Sequence, residues 1–113
     1  MAAPHDVPSM QLLVESVREW LETDAMPALD GRLHFHARVA VNVLSMVERE
    51  LALGAAQAVA HEERLAQLGV ADDAELAARI RSGELDDRYE LVRELVAASV
   101  RDKLAVANPK YLG

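Results

Sequence analysis

The sequence predicts an all-α fold, a compact bundle of about five helices built around a long second helix. Three observations carry this expectation. Apolar residues make up 51% of the 113 positions, yet the aromatic ones are only Trp20, Phe35, Tyr89 and Tyr111, so the core must consist of Leu, Val, Ile and Ala. Those residues recur at three- and four-residue spacing along most of the chain. No segment keeps the strict alternation of a strand, and no internal repeat or low-complexity tract interrupts the helical pattern. The length suits one domain, residues 9–113, preceded by a frayed tail at 1–8 that carries Pro4, His5 and Pro8.

Ser9 is a suitable N-cap for a first helix running to about Ala25. Met10, Leu13, Val14, Val17, Trp20 and Leu21 fall on one face, and Gln11, Glu15, Arg18, Glu19 and Glu22 on the other. Pro27 breaks the pattern and Asp30-Gly31 supplies turn chemistry. The second helix is expected from about Arg32 to Leu53. Its polar residues His34, Arg38, Asn42, Ser45 and Arg49 make one narrow stripe. Leu33, Phe35, Val39, Ala40, Val43, Leu44, Val47 and Leu51 take most of the remaining circumference, the pattern of a central helix covered on several sides. Gly54 either ends this helix or bends it. A third, weakly amphipathic helix spans 55–68 with Val59, Leu65 and Leu68, closed by Gly69. The fourth starts at the capping box Asp72-Asp73-Ala74-Glu75, turns Leu76 and Ile80 inward, and stops at Gly83. A second capping box, Asp87-Arg88-Tyr89-Glu90, opens the fifth helix, which runs to about Val106 with Leu91, Val92, Leu95, Val96 and Val106 on one face and ends at Asn108-Pro109.

Composition excludes several function classes. The net charge of −7, with no basic run, argues against nucleic acid as a partner. The absence of cysteine removes disulfides, thiolate metal sites and a cysteine nucleophile together. No apolar run reaches the roughly 18 residues that span a bilayer, and the N-terminus lacks the pattern of a signal peptide, so a cytoplasmic chain without a membrane role is expected. The predominance of Arg over Lys, with abundant Ala, points to a GC-rich bacterial genome.

Metal and nucleophile chemistry find little support. His34 and His36 are two residues apart and so point about 200° away from each other on a helix. No HExxH or Glu-x-x-His motif occurs, and His61-Glu62-Glu63 reads as a solvated face, so no metal or other cofactor is expected. The serines sit in no nucleophile elbow, and there is no glycine-rich phosphate loop. Five polar residues are misfits nonetheless. His36 falls within the apolar arc of the second helix and Glu50 on its border; Asp102 and Lys103, with Ser99, lie on or beside the apolar face of the fifth. A buried network or pocket joining His36 or Glu50 to Asp102 and Lys103 is one expectation. The stripe of Arg38, Asn42 and Arg49 is either plain solvent surface or a recognition surface, since Arg and Asn can pair with a partner's carboxylates or a phosphate.

Two stretches, "MPALDGRLHFHARVAVNVLSMVERELALG" (26–54) and "VRDKLAVANPKYL" (100–112), resemble a bacterial domain family of unknown function, as does the intervening "ELAARIRSGELDD" (75–87). Members of that family occur alone or C-terminal to aminoglycoside-phosphotransferase-like kinases, and their genes often lie near acyl-CoA dehydrogenases. By position the resemblance falls on Leu29, Gly31, Phe35, His36, Arg38, Asn42, Glu50 and Leu51, then Lys103, Leu104, Asn108, Pro109 and Tyr111. Together with the polar stripe of the long helix, it points to a non-catalytic accessory domain that partners a phosphotransferase-like kinase or an acyl-CoA dehydrogenase, with Arg38, Asn42, Arg49, Asn108 and Tyr111 as the candidate contact surface. The chain begins at its own Met1 and carries no kinase motif, so such a link would act in trans. The alternative is a helical module binding a small ligand or acyl-thioester between the second and fifth helices. A small hydrolase or transferase has the least support. A homo-oligomer is expected as well, because a small Ala- and Val-rich bundle leaves an apolar face uncovered and a two-fold dimer is the commonest remedy.

Overall fold

The computed structural model describes residues 8–113, so most of the tail expected at 1–8 lies outside the described residues. All regular structure among them is helical: α1 (Met10–Trp20), α2 (Gly31–Gln67), α3 (Asp73–Ser82) and α4 (Tyr89–Ala107), joined by short π and 3-10 turns. The all-α expectation holds with four helices rather than five. The second and third expected helices are one continuous helix, because Gly54 sits in it without a positive φ. A glycine inside a helix costs only about 1 kcal/mol relative to alanine, and the Leu-, Ala- and Glu-rich residues on both sides carry the helix through it.

The chain divides into two compact units, one ending at Leu53 and the other spanning Gly54–Gly113, with α2 contributing to both.

In the first unit, the Ser9 hydroxyl accepts the Leu12 N–H at 3.3 Å and opens α1. The helical path continues past Trp20 through a π turn at Leu21–Ala25 and a 3-10 turn at Met26–Ala28 that includes Pro27. Within the widened turn the Thr23 hydroxyl donates to the Glu19 carbonyl at 2.7 Å. Gly31, at φ 56°, takes the left-handed conformation that starts α2. From there α2 turns Ala37 and Val41 inward, and on the same side Glu48 pairs with the Arg18 guanidinium of α1, which also reaches Glu22 at 2.9 Å. The hydrogen bond to Glu48 comes first among the causes that hold Arg18 above its ordinary value, so its guanidinium stays charged.

The second unit has the denser core: Leu65, Leu68, Val70, Leu76, Leu85 and Val92 are buried together, with Leu91 and Leu95 packed against them. Gly69, at φ 72°, closes α2 as expected, with the Val70 N–H returning to the Leu65 carbonyl at 3.1 Å. The Asp72 carboxylate accepts the Glu75 N–H at 2.8 Å, and Glu75 reaches back to the Ala71 N–H at 2.9 Å, a capping box displaced by one residue. The second expected capping box does not form. A 3-10 turn at Asp86–Arg88 leads into α4 without a side-chain cap, and Arg88 instead donates to the Gln67 carbonyl at 2.8 Å, satisfying the end of α2. Ile80, expected inward, is exposed.

Gly83 ends α3 at φ 84°, and an added Cβ would stand 3.1 Å from an Asp86 carboxylate oxygen. Gly83→Ala is therefore expected to destabilise the chain by about 1 kcal/mol or more, because the left-handed strain of an L-residue adds to that contact. A lowered thermal midpoint by circular dichroism, with the helix content of the folded protein unchanged, is the expected reading.

Candidate interaction surface

The first unit leaves much of its apolar surface uncovered. On α1, Leu13, Val17 and Trp20 are exposed, Trp20 to 57%. On α2 the exposed apolar residues include Phe35, Val39, Val43, Met46, Val47 and Leu51, with Phe35 at 61% and Val43 at 52%. This corrects the expectation of a central helix covered on several sides: α2 buries the narrow side of Ala37 and Val41 and exposes the broad apolar arc. The same geometry corrects the expectation of burial for His36 and leaves Glu50, at the border of the arc, in solvent. Both are exposed. The His36 ring stands edge-on to Phe35, with centroids 5.8 Å apart.

Beside the arc runs the polar stripe. His34 Nδ1–H donates to the Met26 carbonyl at 2.8 Å, which leaves Nε2 facing the Arg38 guanidinium at 3.4 Å. A residue that reads from sequence as surface thus ties the start of α2 to the turn before it. Arg38 and Asn42 are exposed and Arg49 is half-buried. In the second unit, Asn108 caps α4, its N–H donating to the Leu104 carbonyl at 2.8 Å, while Tyr111 is 75% exposed.

The second unit also sorts the remaining misfits. Asp102 is engaged, but its partner is Arg64, at 3.0 Å, while Lys103 is exposed. The Arg64 guanidinium also donates to the Ser99 hydroxyl at 3.0 Å, and Gln57 donates to the Asp102 carbonyl at 2.9 Å. His61 completes the cluster: Nδ1 lies 2.8 Å from Ser99 Oγ and Nε2 2.9 Å from Asp73. The sequence reading missed His61 and Arg64. Their signal is the matching spacing of Gln57, His61 and Arg64 on α2 with Ser99 and Asp102 on α4, polar residues one helical turn apart on both helices.

Asp73, His61 and Ser99 share the residue types of a hydrolytic triad, and their geometry decides how they act. The carboxylate only accepts, so Nε2–H donates to Asp73; Nδ1 then takes the Ser99 hydroxyl hydrogen, and Ser99 Oγ accepts from Arg64. Ser99 sits in the middle of α4, where the neighbouring N–H groups belong to the helical ladder and cannot form an oxyanion hole. Asp102 neutralises the Arg64 charge. The cluster is mutually satisfied, and it clamps α2 to α4.

Among the described residues, no group of three or more His, Cys, Asp or Glu could hold a metal ion, and no helix is long and apolar enough to cross a membrane. Fold and surface together define a small all-α domain that exposes apolar side chains alongside its charged ones. The family described as "Domain of unknown function (DUF6285)" matches residues 27–111, and the chain belongs to that family. The match takes in α2, α3 and α4 and leaves α1 outside it. No curated protein and no solved structure matches the chain.

Proposed function

We propose that this protein is a non-catalytic interaction domain whose partner is a phosphotransferase-like kinase or an acyl-CoA dehydrogenase of small-molecule metabolism. The observation that carries the interaction role is the exposed apolar surface of the first unit, with Trp20 and Val17 on α1 and an exposed Arg38–Asn42 stripe on α2. Contiguous apolar surface beyond a few hundred Å² marks binding sites on soluble proteins. Tryptophan and arginine are also the side chains that most often dominate binding energy. The kinase and dehydrogenase classes come from the family resemblance of the 26–54 and 100–112 stretches. The Arg64–Asp102–Ser99–His61 cluster fits a domain without a reaction of its own, since its hydrogen-bonding capacity is consumed in joining two helices.

The test is affinity capture of the tagged full chain from its native lysate, read by mass spectrometry. Recovery of a kinase-like protein or an acyl-CoA dehydrogenase is expected, reduced about tenfold or more by Trp20→Ser or Arg38→Glu, the loss of one hot-spot residue. Recovery of the bait alone, or capture indifferent to both substitutions, overturns the reading.

A further inference from the structure

The exposed arc of α2 has an internal order that its apolar character alone does not require. Phe35, Val39, Val43, Val47 and Leu51 follow one another at four-residue spacing and are all exposed, forming a continuous ridge of the kind that interdigitates with its like on a second helix. Val43 is the middle of that ridge. Positions equidistant from it match in character: Val39 with Val47, Ala40 with Met46, Phe35 with Leu51. Two polar residues of the arc obey the same rule, His36 lying as far before Val43 as Glu50 lies after it. At about 100° per residue, His36 and Glu50 project roughly 20° to either side of the Val43 direction, about 10 Å along the axis from it.

Neither polar residue finds a counter-charge on its own helix. The neighbours of Glu50 at three and four residues are Met46, Val47, Leu53 and Gly54, and those of His36 are Arg32, Leu33, Val39 and Ala40. The arc is cationic at its N-terminal end, where Arg32 stands one turn before His36, and anionic at its C-terminal end, where Glu50 stands. A parallel copy would set like ends together. An antiparallel copy related by a two-fold axis through Val43 sets opposite ends together and lays the valine ridge against itself.

We propose that this arc is the self-association surface of the protein. A second copy packs antiparallel on it about Val43, and His36 of each chain faces the partner's Glu50. The arrangement is isologous: one patch serves both copies, and both polar pairs form at once. The apolar ridge supplies the affinity and the charged ends supply the register, as polar residues within a helical seam do in coiled coils. No residue of α1 is invoked in this seam. The proposal concerns the purified chain alone and does not rest on which protein it serves.

Sedimentation velocity of the full chain, with circular dichroism as the folding control, tests it. The chain as it stands is expected to be a dimer, and Val43→Asp, at an exposed position, a helical monomer. His36→Glu sets two acids together at both ends, and Glu50→Lys sets Lys beside His36 and Arg32, so each alone is expected to weaken dimerisation about tenfold or more. An equimolar mixture of the two variant chains is expected to dimerise again, because one end of the heterodimer then pairs the introduced acid with the introduced base and the other keeps the native pair. A monomeric unsubstituted chain, a Val43→Asp chain that still dimerises, or a mixture no better than either variant overturns the proposal. None of these outcomes bears on capture of a kinase, so the two readings fail separately.

Discussion

Leu68→Ala is expected to lower the stability of the chain by about 2–5 kcal/mol, the largest effect of any single substitution considered. Leu68 is 2% exposed and belongs to the one cluster of six buried apolar residues, where it meets Leu65, Val70, Leu76, Leu85 and Val92. Removing its branched end forfeits the transfer energy of the lost methyl groups and leaves a cavity bounded by side chains already fixed by short turns. A core of this size rarely supplies more than about 3–5 kcal/mol in all, so the substitution is expected to leave the second unit largely unfolded at physiological temperature. Thermal and urea unfolding followed by circular dichroism checks it. Ile80→Ala is the control: Ile80 is 45% exposed, so its loss is expected to cost under about 1 kcal/mol. Equal effects at the two positions would mean that the core does not lie where burial places it.

Arg64→Met is expected to cost about 1–2 kcal/mol, and more than Lys103→Met, which is expected to cost almost nothing. Arg64 joins Asp102 and Ser99 from a half-buried position, and methionine keeps the aliphatic stem while stranding the Asp102 carboxylate and removing one of the two Ser99 hydrogen bonds. Asp102→Asn on the Arg64→Met background is expected to recover part of the loss, because the stranded charge is then gone. A double-mutant cycle over Arg64 and Asp102 reads this directly, and purely additive losses would show that the pair contributes nothing beyond its separate packing. The contrast with Lys103 separates the clamp that exists from the network expected between Asp102 and Lys103.

Much of the fold is legible in local chemistry. Ser9, Asp72, Gly69 and Gly83 mark helix boundaries because capping and left-handed φ are decided within four or five residues, and each behaves as its sequence context requires. Where two local signals compete, reading fails. Gly54 looks like a stop, yet the helix continues, since one unfavourable residue is outweighed by its neighbours' propensity. Asp87-Arg88-Tyr89-Glu90 looks like a capping box, yet Arg88 is drawn away to the end of α2. The candidate site divides in the same way. Helical spacing singled out His36, Glu50, Ser99 and Asp102 as residues out of place. It could not say that the first two are out of place because their arc is uncovered, and the last two because Arg64 and His61 stand opposite.

Local chemistry suffices to make this chain helical, to place where most of its helices begin and end, and to carry its family resemblance. All of these depend on periodicity and capping, which act over a turn or two of chain. Which apolar faces are buried depends on how the helices pack. A helix carries the same hydrophobic arc whether or not anything packs on it, and burial is a property of two surfaces that one strip of sequence cannot report. That is why α2 reads as a core helix and stands instead with Phe35, Val39 and Val43 exposed, the ridge on which a second copy is proposed to pack.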